Sequence, residues 1–253
     1  MQRFLNQSGL ISSEQMDSYR IAIVGTGAIG SFVAMALTKM GFKHMTCWDP
    51  DKIEPHNLAN QMFPLSAVGQ RKAIAVRELV KQFSGEDVTT LALKATGEKM
   101  IEYLGKGEHS GPVIVILAVD SLDVRKQIAQ EFFGKYGYYI IDPRMGARTY
   151  RVMALQTWDS TERIAYERTF VPDAEAVQEP CGQKSIIYTV LGVAAEVCSF
   201  VHYIVTRSDR PGTDAHLPQV PPPVVFDYGT GMRLQKWPMG PVLIVDEPAE
   251  VPF

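Results

Sequence analysis

The segment IAIVGTGAIG constrains the fold of this chain more than any other. An apolar run at 21–24 breaks at three glycines, Gly25, Gly27 and Gly30, and resumes as the helical pattern SFVAMALTKM, closed by Gly41. A G-x-G-x-x-G placed between strand and helix has a physical reading at each glycine: the first permits a tight turn, the second lets a phosphate approach the backbone, and the third lets helix pack on strand. The amino end of the helix, including Ile29, then faces an anion. A merely tight structural turn is the alternative. A Walker-type phosphate loop is excluded, because Ser31 follows Gly30 directly and no lysine is present.

The alternation continues downstream. HMTCWD reads as a second strand, and GQRKAIAVRELVKQF as a helix with Ala73, Val76, Leu79 and Val80 on one face. DVTTLALKA and VIVILAVD read as third and fourth strands, with helices starting near Glu98 and Ser121. YGYYIID is a fifth strand, followed by a D-P-R-M-G turn and the alternating stretch ARTYRVMAL. The class is therefore α/β, Rossmann-like: a largely parallel sheet with helices on both faces and an antiparallel continuation in the C-terminal half. The polar stretch 158–180 reads as a long surface loop or crossover, and SIIYTVLGVAAEVCSFVHYIV as a long apolar helix. That helix contains Tyr188, Glu196, Ser199, His202 and Tyr203, which favours burial in a large soluble domain over a membrane span. Prolines concentrate beyond 210, so the tail is expected to be irregular, with short strands at PVVFDYG, MRLQKW and VLIVDE. The expected organisation is one domain over 1–253: a nucleotide-binding half at 1–155, a crossover loop at 156–182, and a C-terminal helix with short strands at 183–253.

Composition narrows the partners. The 253 residues carry a formal net charge of −3, without the cationic surplus of a nucleic-acid binder. The first residues lack the apolar core of a secretory signal, so a cytoplasmic protein is expected. Three cysteines, Cys47, Cys181 and Cys198, exclude a disulfide framework and a four-cysteine zinc site. The five histidines show no metal-ligand spacing.

Asp49, at the end of the second strand, sits where an acid hydrogen-bonds ribose hydroxyls in such folds, and so far an NAD(P)-dependent oxidoreductase fits. A solvated acid in a strand-end turn is the plainer alternative. The residues that follow separate the readings. Asp49, Asp51 and Ile53, then Asn57, Leu58, Asn60 and Gln61, then Gly69 and Lys72, then Asp120, Ser121 and Arg125 occur in an ordered series. In that order they resemble D-x-D-x-V, N-L-x-R-Q, G-x-x-K and Asp-Asn-x-x-x-Arg of the ThiF/MoeB/HesA superfamily, adenylating enzymes related to ubiquitin-activating enzymes. The resemblance covers 1–155 well and the remainder loosely.

The resemblance implies ATP-dependent adenylation of the C-terminal carboxylate of a ubiquitin-like or sulfur-carrier protein, with release of pyrophosphate, by a homodimer. It implies that Asp49 holds the ribose, that Lys72 contacts the phosphates, and that Asp120 supports Mg²⁺. An exposed helix lysine is the alternative for Lys72. Two family arginines are replaced, by Asn6 in R-F-L-N-Q and by Asn60 in N-L-A-N-Q. Arginines that stabilise phosphoryl-transfer transition states can be worth on the order of a thousandfold in rate, so another cation must substitute or the chemistry is weakened. Arg144 and Arg125 are the candidates. The two zinc-binding C-x-x-C pairs of many relatives are missing, so no structural zinc is expected. Cys181, in E-P-C-G-Q-K-S beside Lys184 and before the long helix, is either a transfer thiol, forming a thioester or persulfide, or a small helix-start residue. Cys47 and Cys198 read as buried core. A non-catalytic nucleotide-binding scaffold remains a third reading, motivated by Asn6 and Asn60.

Overall fold

The computed structural model describes residues 2–106, 111–170, 186–207 and 220–235. In chain order, Ser13–Asp17 (α1) leads into Arg20–Val24 (β1), Ala28–Met40 (α2), Met45–Trp48 (β2), Lys72–Ser84 (α3) and Thr89–Leu91 (β3). Gly97–Gly105 (α4), Val113–Leu117 (β4), Leu122–Phe132 (α5), Tyr138–Met145 (β5) and Thr149–Gln156 (β6) follow. Ser160–Glu167 (α6), Ile187–Arg207 (α7), Val224–Asp227 (β7) and Met232–Gln235 (β8) complete the described elements.

The strands form one sheet in the order β3-β2-β1-β4-β5-β6-β7-β8. Pairing is parallel from β3 through β5 and antiparallel from β5 through β8. Strand alternation divides the core in two. Ile21 and Ile23 of β1 join Ile114 and Ile116 of β4 under α2, α3 and α7. Ala22 and Val24 face the other way with Val115 and Leu117, under Met100, Ile128, Phe132 and Tyr166 from α4, α5 and α6. A two-sided core explains why β1 and β4 read as unbroken apolar runs.

Local signals set the helix ends. Gly41, at φ +113°, caps α2 by donating its N–H to the carbonyls of Leu37 and Thr38. The side chains of Thr96, Ser121 and Asp159 cap α4, α5 and α6 by accepting from Lys99, Val124 and Glu162 N–H. The long apolar helix forms as expected from the sequence, and its Val193, Val197, Val201 and Ile204 are buried in the core. By length and composition alone α7 is long and apolar enough to cross a membrane.

Three local expectations are revised. The stretch read as loop begins with α6, because Asp159 caps it and Tyr166 gives it one side chain to bury completely. The D-P-R-M segment is not a turn but the end of β5: β4 pairs only as far as Ile141, so beyond that point Pro143 has no neighbour on that side needing its absent N–H. The third strand is limited to Thr89–Leu91. PVVFDYG and MRLQKW each contain a strand, whereas VLIVDE lies outside the described residues.

Candidate functional site

Strand order reverses direction between β1 and β4, which makes the carboxyl ends of these two strands the topological switch point where α/β sheets bind ligands. The glycine loop lies there. Gly25 is left-handed at φ +89°, and a Cβ on it would fall 2.6 Å from the Ala118 carbonyl oxygen just after β4. A Cβ on Gly30 would sit 1.9 Å from the Gly25 carbonyl, so only glycine lets α2 start this close to β1. Gly27 is the N-cap of α2 and offers no side-chain acceptor to the free N–H groups of the first turn. Ile29, in that turn, is buried in the core, so it contributes backbone to the loop.

Asp49 is buried at the end of β2 and holds the loop from below. Its Oδ2 accepts from the Thr26 amide at 2.7 Å and the Thr26 hydroxyl at 3.1 Å, and its Oδ1 accepts from the Asp51 amide at 2.8 Å. The 57–61 segment closes on the same place. Buried Asn57 accepts from the Glu54 amide through Oδ1 at 2.9 Å, and its own carbonyl accepts from the Gln61 amide. The Gln61 side-chain Nε2 lies 3.7 Å from the Cβ position of Gly27. Its Oε1 is buried with no donor among the described residues, and Ser31 Oγ accepts from the Met62 amide at 3.2 Å. An uncapped helix start, a glycine cradle and an orphaned acceptor fit a polyanionic ligand with hydrogen-bond donors elsewhere on it.

Lys72 opens α3, where its N–H donates to the Asp51 carbonyl and its Nζ sits 3.0 Å from Asp51 Oδ2. Its side chain is 11% exposed against 62% for Asp51, so it is not a solvated helix lysine but a cation held flat against the loop. Asp120 is exposed two residues beyond Ala118, at the same sheet end. Among the described residues no group of three or more His, Cys, Asp or Glu is placed to hold a metal ion. A single carboxylate with substrate phosphates is nonetheless a common way of holding Mg²⁺.

The arginine candidates form a second centre at the end of β5. Arg125 is buried, and its Nη1 donates to the Leu117 carbonyl, Asp142 and the Pro143 carbonyl. Arg144 donates from Nε and Nη2 to Asp142 Oδ2 at 3.0 and 2.8 Å, and to the carbonyl and hydroxyl of Thr169. Its guanidinium lies over the Phe170 ring at 4.4 Å. Tyr166 completes the set with its hydroxyl 2.9 Å from Asp142. Burial alone would raise the Asp142 pKa. The charges of Arg125 and Arg144, with hydrogen bonds from Arg144 and Tyr166, outweigh it and hold the carboxyl below the usual range. Burial, then the neighbouring Asp142 charge, pushes the Tyr166 hydroxyl far up, so it stays a donor.

The structure thus brings Gly25, Gly27, Gly30, Asp49, Asp51, Asn57, Asn60, Gln61 and Lys72 to one end of the sheet, with Asp120 beside them. Asn60 ends the short 3-10 helix Pro55–Ala59, while Asn6 is exposed in another at Gln2–Gln7. Cys181 and Lys184 lie outside the described residues. Burial, joined for Cys47 by the Asp49 charge, pushes the Cys47 and Cys198 thiols up to about 12, which suits inert core thiols. Sequence reasoning missed Thr26, Asp142 and Tyr166; an acid ending β5, in line with those after β2 and β4, was the available signal. A depression of about 350 Å³ lined by Arg20, Lys43, His44, Asp87 and Tyr103 lies at the opposite, amino end of the strands. The switch point, not that depression, holds the phosphate-type backbone.

Comparison with known proteins agrees with this geometry. A ubiquitin-like modifier-activating enzyme 5 of Oryza sativa subsp. japonica is 32% identical over 139 residues, and that of Rattus norvegicus is 27% identical over 136. The matches span 50% and 49% of this chain but only 32% and 33% of those relatives. Among solved structures, PaaA superposes with a TM-score of 0.66 at 18% identity, over 93% of this chain and 68% of that one. MccB of E. coli gives 0.66 at 16% identity, covering 91% and 67%, and TcdA of E. coli gives 0.62 at 20% identity, covering 81% and 94%. These likenesses speak to the fold. The ThiF family profile matches residues 2–208, and on that match the chain belongs to the ThiF family.

Proposed function

We propose that the chain is an ATP-dependent adenylyltransferase that activates a C-terminal carboxylate on a small ubiquitin-like or sulfur-carrier protein or a peptide. The observation that carries this reading is the convergence of the glycine cradle, the 57–61 segment and the sheltered Lys72 on one switch-point end. Support also comes from neighbours: MccB has been crystallised with ATP and TcdA with AMP.

The N–H groups at the start of α2 take the phosphates, and Lys72, released from Asp51, neutralises them. Asp49 keeps the loop in shape, and its remaining lone pairs accept from a ribose hydroxyl. Gln61 Oε1 accepts from a donor on the nucleotide. Asp120 would hold Mg²⁺, which when bound neutralises phosphate charge. A substrate carboxylate oxygen attacks the α-phosphorus, the bond to the bridging oxygen breaks, and pyrophosphate leaves. The chain contributes alignment and fixed positive charge rather than covalent chemistry. Arg144 supplies the positive charge that replaces the family arginines at Asn6 and Asn60, acting through its field, since its Nε, Nη1 and Nη2 already donate to Asp142 and Thr169. The active unit is a homodimer, and the Cys181 thiolate attacks the acyl carbon of the adenylate, forming a thioester as the bond to phosphate breaks and AMP leaves.

The test is exchange of labelled pyrophosphate into ATP, stimulated by proteins or peptides ending in Gly-Gly. Wild type is expected to exchange, with Lys72→Ala and Asp120→Ala reduced at least a hundredfold, the usual worth of one positioned electrostatic group. No exchange with any carrier, or undiminished exchange in both variants, removes the reading. Cys181→Ser should leave exchange intact and abolish any thiol-sensitive carrier adduct seen on non-reducing gels.

A further inference from the structure

The hairpin segment D-P-R-M-G-A-R-T-Y-R carries Arg144, Arg148 and Arg151 against one acid, Asp142. Arg144 and Arg151 are direct partners across β5 and β6. Residues so paired project from one face with Cβ atoms about 4.5–5.5 Å apart, where like charges repel. Arg144 is compensated by Asp142, which Arg125 already shares. The Arg151 side chain makes no hydrogen bond or ion pair among the described residues. The next residue in its row, Val225 on β7, is apolar and offers no counter-charge. Burial and the Arg144 charge lower the Arg151 pKa, and Asp142 only partly offsets them. Among the described residues this half-buried guanidinium beside another has no acid of its own, an arrangement that weakens the fold unless an anion joins it.

Its place indicates which anion. β5 runs past the end of β4, so Asp142 and Arg144 project at the same sheet end as the glycine loop. With strands about 4.8 Å apart, β6 lies roughly 14 Å from β1, a distance an extended chain covers in about four residues. We propose that Arg151, its charge reinforced by neighbouring Arg144, forms an anion site for the carboxylate side chain of an acidic residue about four positions before the carboxyl terminus of the substrate. This rests on the adenylation reading above, which supplies the end of the tail at the glycine loop.

The full chain, immobilised with ATP, is offered a pool of heptapeptides ending in Gly-Gly with randomised upstream positions, and retained peptides are sequenced. Asp and Glu should be enriched three to five residues from the end, and the enrichment should vanish in Arg151→Gln. In exchange assays with one enriched peptide, Arg151→Gln should raise the peptide KM about tenfold while kcat and the KM for ATP stay unchanged. Its thermal stability should be unchanged or higher, because a repulsion has been removed. The site is overturned if no peptide is retained, if no acid is enriched, if enrichment survives in Arg151→Gln, if the KM for ATP moves instead, or if that variant is destabilised. Acid-selective retention without pyrophosphate exchange would keep the anion site and sink adenylation alone.

Discussion

Two buried carboxylates end neighbouring parts of the same sheet, and they are satisfied in opposite ways. Asp49 accepts only from uncharged donors, two amides and one hydroxyl, all within the loops it ties together. Asp142 accepts from two guanidiniums and a phenol that reach it from α5, β5 and α6. The first arrangement sets backbone shape and leaves one negative charge beside the loop. The second gathers more positive charge than it neutralises, and its cost of desolvation is met only while every partner is present. Shape is thus specified at the β1–β2 end and charge at the β5–β6 end.

The comparison breaks most severely at Asp142. Asp142→Ala leaves two sheltered arginines unpaired and should cost about 3–5 kcal/mol in denaturant unfolding. Because the Asp142 pKa is lowered in the folded protein, its contribution is fully present above the ordinary aspartate value near 3.9 and is lost as pH falls through the lower folded value. The stability difference between wild type and Asp142→Asn should therefore be flat from pH 5 to 7 and shrink only below about pH 4. At the other centre Gly30→Ala pushes a methyl group into the Gly25 carbonyl and should cost about 1–3 kcal/mol or more, with loss of ATP binding by calorimetry. Asp49→Asn must turn an NH₂ toward an amide donor, so about 1–3 kcal/mol of stability and part of the ATP affinity should go together. Lys72→Ala should change stability by less than about 1 kcal/mol, since its partner is well exposed, while ATP turnover collapses. If Asp49→Asn proved costlier than Asp142→Ala, the division into shape and charge would be wrong.

The place of the shape centre is legible in the sequence, though not the bonds by which Asp49 holds Thr26 and Asp51, and the charge centre largely is not. Gly25, Gly27, Gly30 and Asp49 act through a turn and a strand end, features written in neighbouring letters. The alternation of strands and helices was legible for the same reason, since each element carries its own apolar period and its own cap. Arg125, Asp142, Arg144 and Tyr166 meet only after three elements have packed, and D-P-R-M looks like a turn until it is known that β4 stops one residue earlier. Helix α6 is not legible because a polar stretch with one fully buried tyrosine has too little periodicity. The position of Lys72 is legible in the sequence, but the shelter of its side chain depends on Asp51 beside it.

The bond from the Thr26 amide to Asp49 joins a loop and a strand and is made wholly within the chain. A binding loop already held in this way has little backbone motion left to lose when a ligand arrives, so association should be fast and carry a small ordering entropy. The same bond shields one amide proton at the centre of the loop. Thr26 should therefore exchange with deuterium nearly as slowly as the β1 core in the ligand-free protein, and ATP should slow it little further.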